Sequence, residues 1–293
     1  MKKHTIFTGC ATAIITPFAK DYSVNFDALE KFVDFQLDNG VKTLVVCGTT
    51  GEASTLSDDE QISVIECAVQ RARGRNATVI AGAGSNDTRH GVALSRRAAA
   101  SGADALLHVT PYYNKTTQRG LIEHYRAIAS SVSIPIILYN VPSRTGLSIE
   151  PATYVQLAEI ENIVATKEAS GNFTSIASAM NLCEGDLDFY SGNDDQAIPI
   201  ISLGGKGLIS VLSNVKPAET SKMCDLALAG DFKAAAALQI SLMPLINALF
   251  SEVNPIPIKA AVDMIGFNAG PCRLPLCDMD ESKLKKLRSL VLQ

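Results

Sequence analysis

The sequence lacks an excess of basic charge and any long, uninterrupted apolar run. It has 26 Lys and Arg against 30 Asp and Glu, a formal net charge of −4 at pH 7. Such a chain offers no basic surface to a phosphate backbone, which argues against nucleic acid or anionic membrane as a partner. No apolar run approaches the roughly 18 residues of a membrane span. The apolar segment before Cys10 is too short for a signal peptide, so we expect a cytoplasmic protein.

Metal-binding side chains are few and poorly spaced. The chain has four histidines and seven scattered cysteines, with no C-x-x-C pair and no H-E-x-x-H motif. Cys272 and Cys277 are the closest pair, but no second close pair or neighbouring histidine completes a zinc set. We therefore expect free thiols, no protein-bound metal and no cofactor.

Short apolar runs alternate with amphipathic segments along the first 230 residues. The runs predict eight strands at 13–15, 44–47, 78–81, 105–109, 136–139, 163–165, 187–190 and 208–211. The amphipathic segments predict helices at about 26–37, 58–72, 88–100, 118–131, 152–159, 173–183, 195–203 and 217–229. Eight strand–helix units in about 220 residues predict a (β/α)8 TIM barrel, with a doubly wound open sheet as the alternative.

The strand pattern stops after about residue 230. Helices are predicted at 231–250, 256–265 and 281–292, separated by two proline-containing stretches. About 60 residues of mostly helical surface rarely sustain a core of their own. We therefore expect a barrel domain of residues 1–230 that carries a C-terminal helical extension of residues 231–293.

The chemistry of a parallel barrel lies at the carboxyl ends of its strands. Here these ends carry hydroxyl groups, tyrosines, one lysine and one arginine, without a cluster of His, Asp and Glu. The segments are 48–52, 110–114, 139–146, 166–170 and 191–194. This set of side chains suits imine chemistry on a keto acid better than metal-assisted chemistry.

Lys167 follows an apolar strand, which would place its amine at the mouth of the predicted barrel. A lysine with a pKa near 10.4 is almost entirely an ammonium at neutral pH, but burial lowers the pKa. A neutral amine can then attack a ketone and form a Schiff base. The alternative is a lysine that reaches a carboxylate such as Glu168.

Other strand-end side chains could assist such a lysine. Tyr139 and Tyr113 could form a proton-transferring chain with Thr49, although tyrosines at strand ends are often core caps. The turn at 49–51 offers N–H and hydroxyl donors to a carboxylate, or is a plain capped turn. Arg144 could grip a carboxylate with two hydrogen bonds, or form a surface salt bridge.

Two further features are interpreted as structural. His108 lies inside a predicted strand, so we expect a packed side chain. Asp194 and Asp195 are predicted to begin the following helix through their favourable placement near its N-terminus.

These strand-end motifs closely resemble the dihydrodipicolinate synthase family. The matching segments are 48–52 (GTTGE), 110–114 (TPYYN), 138–146 (LYNVPSRTG) and 166–170 (TKEAS). The resemblance runs nearly end to end, and GTTGE with the lysine also marks the wider pyruvate-dependent class I lyases. Arg144 favours the synthase branch over sialic-acid and keto-sugar lyases, which remain an alternative, as does a catalytically silent keto-acid-binding protein.

The resemblance implies a lyase that condenses pyruvate with L-aspartate-4-semialdehyde, the first committed step towards diaminopimelate and lysine. It implies a Schiff base on Lys167 and acid–base catalysis by Tyr139. The implied proton relay is completed by Thr49 and by Tyr113, the latter from the neighbouring subunit. The implied assembly is a homotetramer made of two tight dimers.

The resemblance also implies how the substrates are held. The pyruvate carboxylate would be bound by Thr50 and by the backbone at Gly192 and Ile209. Arg144 would receive the aldehyde substrate.

An effector pocket at the dimer interface is implied as well. The matching positions are Ser54, Asn86, His90 and Tyr112, with Asp58 nearby. Lysine-inhibited relatives carry at the position of His90 a glutamate that holds the effector's ammonium. An imidazole cannot replace a carboxylate towards a cation, so we expect weak or absent feedback inhibition by lysine.

Overall fold

A computed structural model describes residues 3–292, and the strands in that range form one closed parallel barrel. The strands are β1 (Gly9–Ala13), β2 (Thr43–Val46), β3 (Thr78–Gly82), β4 (Ala105–Val109), β5 (Ile136–Asn140), β6 (Ile163–Glu168), β7 (Asp188–Ser191) and β8 (Gly207–Ser210). Each strand pairs with the next along the chain, and β8 closes onto β1. The predicted (β/α)8 barrel is therefore confirmed, and the open sheet is excluded.

The helices follow the strands in turn and cover the outside of the barrel. They are α1 (Phe26–Asp38), α2 (Asp58–Ala72), α3 (Thr88–Ala100), α4 (Gln118–Ala129), α5 (Pro142–Thr145), α6 (Pro151–Ala158), α7 (Phe173–Cys183), α8 (Ala197–Ser202) and α9 (Pro217–Leu228). Several begin at a side-chain cap. Ser57 and Glu60 form a reciprocal capping box at α2, and Asn25 accepts a hydrogen bond from the Ala28 N–H at α1.

Alternating side chains on the strands produce two apolar layers. Outward side chains such as Leu44 and Ile136 pack under the helices, and inward ones such as Val45 and Ile137 fill the barrel with Tyr139. The strands are consequently buried on both faces, which explains why they read as continuous apolar runs.

The first strand lies earlier than predicted. The sequence indicated 13–15, whereas β1 spans Gly9–Ala13. Ile14 and Ile15 are fully buried just beyond the strand end. Burial makes this segment apolar without making it a strand, and hydrophobicity alone cannot separate the two cases.

Three helices follow the barrel, α10 (Phe232–Leu249), α11 (Ile256–Met264) and α12 (Glu281–Val291). Helix α10 packs against α9 and α12, and α11 packs against α12. The extension reaches the end of the barrel that holds the carboxyl ends of the strands, because Asn254 and Lys259 contact residues of the loop after β2. The division at residues 230 and 231 stays a prediction.

Helix α10 is the one helix in residues 3–292 that is long and apolar enough to cross a membrane by length and composition. It has 18 residues, a mean hydropathy of 1.4, and 28% of them are buried. The expectation that no uninterrupted apolar run reaches this length holds, because polar residues such as Lys233 and Gln239 interrupt the helix. The helix meets the criterion only through its mean hydropathy. Core helices of globular proteins meet the same two criteria, so one such helix is weak evidence of insertion.

Candidate active site

Lys167 and Tyr139 lie side by side at the mouth of the barrel. They are register partners on the neighbouring strands β6 and β5, so both side chains point to the same face. The Lys167 Nζ lies 4.4 Å from the centre of the Tyr139 ring. Both residues are buried, with 6% and 8% of their surfaces exposed.

The surroundings of Lys167 favour the neutral amine. Burial lowers its pKa from 10.5 to about 8, and the nearby Arg144 charge acts in the same direction, whereas Asp194 acts against it. At pH 8 roughly half of the amine would be neutral, against less than about 1% for an ordinary lysine. Glu168, the alternative partner considered for Lys167, does not pair with it. The Glu168 carboxylate accepts hydrogen bonds from Asn140 and Tyr154 on the other face of the strand.

Tyr139, Thr49 and Arg144 line one cavity of about 480 Å³. Burial raises the pKa of Tyr139, and the Arg144 charge and the Thr49 side chain partly oppose this rise. The phenol is therefore neutral at physiological pH, with a hydroxyl and a cation beside it. Such a group can give up and take back a proton when a neighbouring group changes charge.

The turn after β2 carries Thr50 next to Thr49, although Thr50 does not itself line the cavity. Cys47 and Glu52 both have a φ of 53°, and Gly82 allows the close approach, since a Cβ there would lie 2.0 Å from the Cys47 carbonyl oxygen. Thr50 is 3% exposed, and its Oγ1 accepts a hydrogen bond of 3.0 Å from Asn254 Nδ2. The turn is thus a tightly held element with a buried hydroxyl.

Gly192 directly follows β7, and Ile209 lies near the carboxyl end of β8. A Cβ at Gly192 would be 3.0 Å from Lys167 Cε and 2.8 Å from Ala169 Cβ, so the bare backbone lies directly against the lysine stem. Ile209 is fully buried on β8, in the same interior cluster as Tyr139. The backbone around both residues therefore borders the barrel mouth.

Tyr113 does not join the other predicted residues within one chain. It is 91% exposed, has a φ of 66°, and does not line the cavity that holds Tyr139. The loop that carries it is held by two hydrogen bonds, from Asn86 Nδ2 to the Tyr112 carbonyl and from Asn114 Nδ2 to the Asn86 carbonyl.

Three of the four predicted effector residues line the same cavity, and Asn86 does not. Ser54, His90 and Tyr112 line it together with Thr49. His90 Nε2 lies 2.9 Å from Asp58 Oδ1, and His90 Nδ1 lies 3.0 Å from Ser85 Oγ. Both ring nitrogens are therefore occupied by groups of the same chain.

Sequence reasoning missed a buried ion pair beneath the turn after β2. Lys259 Nζ lies 2.7 Å from Glu52 Oε1, and each residue has 2% of its surface exposed. Glu52 Oε2 accepts a second hydrogen bond from the Arg273 N–H at 2.9 Å. A lysine in the apolar stretch Ile256–Met264 was the available signal, since buried lysines are rare unless paired.

Asp194 and Asp195 begin the helical segment after β7, as expected, but the Asp194 side chain is directed towards other partners. Its carboxylate accepts hydrogen bonds from Ser210 Oγ and from the Val211 and Leu212 N–H groups, at the exit of β8. The 3-10 turn Asp194–Gln196 continues into α8 at Ala197, so Asp194 is the first residue of the helical segment and is also buried. The negative charge of this buried carboxylate partly opposes the lowering of the Lys167 pKa.

In residues 3–292 no three His, Cys, Asp or Glu side chains are grouped closely enough to hold a metal ion. The polar groups at the barrel mouth are instead a buried amine, a phenol, two threonine hydroxyls and a guanidinium. This arrangement on this fold is typical of a barrel enzyme that acts through a lysine amine.

The chain belongs to the dihydrodipicolinate synthetase family, whose model matches residues 6–293. It is 53% identical to the 4-hydroxy-tetrahydrodipicolinate synthase of Caldicellulosiruptor bescii over 97% of this chain and 96% of that one. A dihydrodipicolinate synthase from Acinetobacter baumannii, described as chloride-inhibited and complexed with pyruvate, superposes with a TM-score of 0.95 at 43% identity, over 98% of both chains. The Cyanidioschyzon merolae enzyme with lysine bound superposes with a TM-score of 0.96 at 38% identity, over 99% of this chain and 98% of that one.

Proposed function

We propose that this chain is a lyase that condenses pyruvate with L-aspartate-4-semialdehyde, the 4-hydroxy-tetrahydrodipicolinate synthase reaction. Relatives about half identical over nearly the whole chain carry that name. The observation that carries the mechanism is the buried Lys167 amine, whose pKa of about 8 leaves a usable neutral fraction. The reaction contributes to diaminopimelate and lysine synthesis.

The first step joins Lys167 to pyruvate. The neutral amine attacks the carbonyl carbon of the keto acid, and the resulting carbinolamine loses water to give a protonated imine. Protons must move to the departing oxygen and away from the nitrogen. We assign this proton transfer to Tyr139 and Thr49. The centre of the Tyr139 ring lies 4.4 Å from the Lys167 amine, and Tyr139 and Thr49 line one cavity.

The second step makes the carbon–carbon bond. The imine loses a proton from its methyl carbon and becomes an enamine, which attacks the aldehyde carbon of the second substrate and leaves a hydroxyl there. The amino group of the adduct then attacks the imine carbon, expels Lys167 as an amine and closes the ring. Arg144 lines the cavity and would hold the carboxylate of the semialdehyde.

The pyruvate carboxylate needs hydrogen-bond donors other than the Lys167 amine, which reacts with the keto group. Thr50 offers a buried hydroxyl, and the backbone at Gly192 and Ile209 completes this part of the barrel mouth. Donors that are fixed before binding need no reorganisation when the anion arrives.

The exposure of Tyr113 supports an assembly of subunits. Tyr113 has 91% of its surface exposed and does not line the cavity of its own chain, but it could complete the proton relay of a neighbouring subunit. We propose that two chains form a tight dimer in which each supplies Tyr113 to the other, and that two such dimers form a homotetramer.

Trapping with borohydride tests the Schiff base. Incubation with pyruvate and borohydride should add a reduced pyruvate adduct to the peptide that contains Lys167, and a Lys167→Arg variant should remain unmodified. An unchanged peptide mass in the unsubstituted protein would contradict the proposal.

The acceptor is tested separately. Turnover of pyruvate with L-aspartate-4-semialdehyde should greatly exceed turnover with sialic-acid and keto-sugar substrates. Arg144→Ala should impair the semialdehyde reaction severely while imine formation with pyruvate persists. Preference for a sugar substrate would contradict this choice of acceptor.

A further inference from the structure

Asn254, between α10 and α11, contacts both groups to which the proposed function assigns a substrate carboxylate. Its Nδ2 donates a hydrogen bond of 3.0 Å to Thr50 Oγ1, and its backbone carbonyl accepts one of 3.3 Å from Arg144. Asn254 is 5% exposed. Its Oδ1 is buried and has no hydrogen-bond partner among the described residues.

The direction of the first hydrogen bond determines what Thr50 can do. A threonine hydroxyl has one proton to donate and two lone pairs that accept. Because the Asn254 amide occupies a lone pair of Thr50 Oγ1, the hydroxyl proton stays free for a bound carboxylate. A carboxylate side chain at position 254 would take that proton instead.

The unpaired Oδ1 indicates that the amide is not present for stability alone. A buried acceptor without a donor is destabilising, and buried unsatisfied groups in native proteins call for an explanation of this kind. We attribute the retention of this unpaired oxygen to the Nδ2 atom of the same amide, which donates the hydrogen bond to Thr50.

Both ends of the Asn254–Thr50 contact are anchored by one ion pair. Glu52 follows Thr50 by two residues, and Lys259 lies on α11, which begins two residues after Asn254. The 2.7 Å contact between Lys259 Nζ and Glu52 Oε1 ties the helix to the turn. Asn254 therefore meets Thr50 through two elements that are fixed relative to each other.

We propose that Asn254 is a positioning residue that keeps the Thr50 hydroxyl as a donor to the keto-acid carboxylate and ties this group to Arg144. The inference rests on the proposed function and deepens it. Asn254 needs no contact with either substrate to act in this way.

The test compares Asn254→Ala with Asn254→Asp in the full-length protein. Asn254→Ala should raise the KM for pyruvate by about tenfold, since one hydrogen bond that orders the donor is lost. Asn254→Asp should raise it further, because the carboxylate accepts the Thr50 proton and repels the substrate anion. Ser251→Ala, in the same connecting segment, should leave both KM values unchanged.

A double-variant cycle excludes a merely structural role. In a Thr50→Val background, Asn254→Ala should have little further effect on the KM for pyruvate, because its target hydroxyl is already absent. Thermal unfolding of each variant reports the folded state, and if Asn254→Asp does not fold, the alanine cycle alone decides. An unchanged KM for pyruvate in Asn254→Ala, or additive effects in the cycle, would overturn the inference.

Experimental results that contradict the proposed function differ from those that contradict only the inference about Asn254. The unsubstituted protein itself would then form no borohydride-trapped adduct on Lys167 and would not consume the semialdehyde. In that case the inference falls with it, whereas an active parent with an indifferent Asn254→Ala variant refutes the inference alone.

Discussion

The buried pair Lys259–Glu52 provides the most demanding stability prediction. The Lys259 amine lies 4.1 Å from the centre of the Phe18 ring. Replacing Lys259 by Met keeps a long side chain over this ring but removes the charge. Glu52 would retain the 2.9 Å hydrogen bond from the Arg273 N–H and lose its ionic partner. An uncompensated buried carboxylate of this kind costs about 3–5 kcal/mol.

The assay is urea unfolding at fixed protein concentration, followed by far-UV circular dichroism. Lys283→Met is the matched control, since this lysine is 46% exposed and only 3.4 Å from Glu252. An exposed pair contributes about 0–1 kcal/mol. Lys259→Met should therefore lose several times more stability than the control.

A double variant separates charge from packing. Glu52→Gln combined with Lys259→Met removes both charges, so it should recover much of the stability lost in the single variant. A loss of less than about 1 kcal/mol in Lys259→Met would refute the reasoning, because it would show that this pair behaves like an exposed one.

Three further predictions concern other parts of the molecule. Burial lowers the pKa of His108 to about 3 and that of His124 to about 4, so both are neutral in the folded protein, whereas they protonate near pH 6.5 in the unfolded chain. The free energy of unfolding should therefore fall as the pH decreases from 6.5 towards 4, and it should fall less steeply in His108→Gln. A stability that does not depend on pH in this range would contradict the prediction. Gly192→Ala should slow imine formation by about tenfold or more, because the new Cβ lies 3.0 Å from Lys167 Cε, and an unchanged trapping rate would show that the lysine stem can move aside. Added lysine should inhibit turnover weakly or not at all, since His90 is paired with Asp58, and strong inhibition at sub-millimolar lysine would contradict this.

Much of the barrel was predictable because its strands and helices carry local signals. The run at 105–109 and the amphipathic segment at 173–183 match β4 and α7 at both ends. The position of Lys167 near the carboxyl end of an apolar strand, β6, also follows from local order. These features depend on residues that are neighbours in sequence.

The remaining features depend on residues far apart in the chain. Asn254 meets Thr50, and Lys259 meets Glu52, across more than 200 positions. No periodicity or spacing reports such contacts before the helical extension has packed on the barrel. The side-chain partners of Asp194 could not be predicted for the same reason, since they lie at the end of another strand.

The central claim is that burial lowers the pKa of the Lys167 amine enough to leave a usable neutral fraction, and the titration of this amine tests the claim most directly. The rate of imine formation with pyruvate, measured in single-turnover trapping across pH 6 to 10.5, should rise with pH and reach half its plateau near a pKa of about 8. The burial that lowers this pKa predicts a plateau well before the pH at which a free lysine loses its proton. A rate that still rises tenfold per pH unit up to about 10 would contradict the account, because the amine would then titrate like an ordinary exposed lysine.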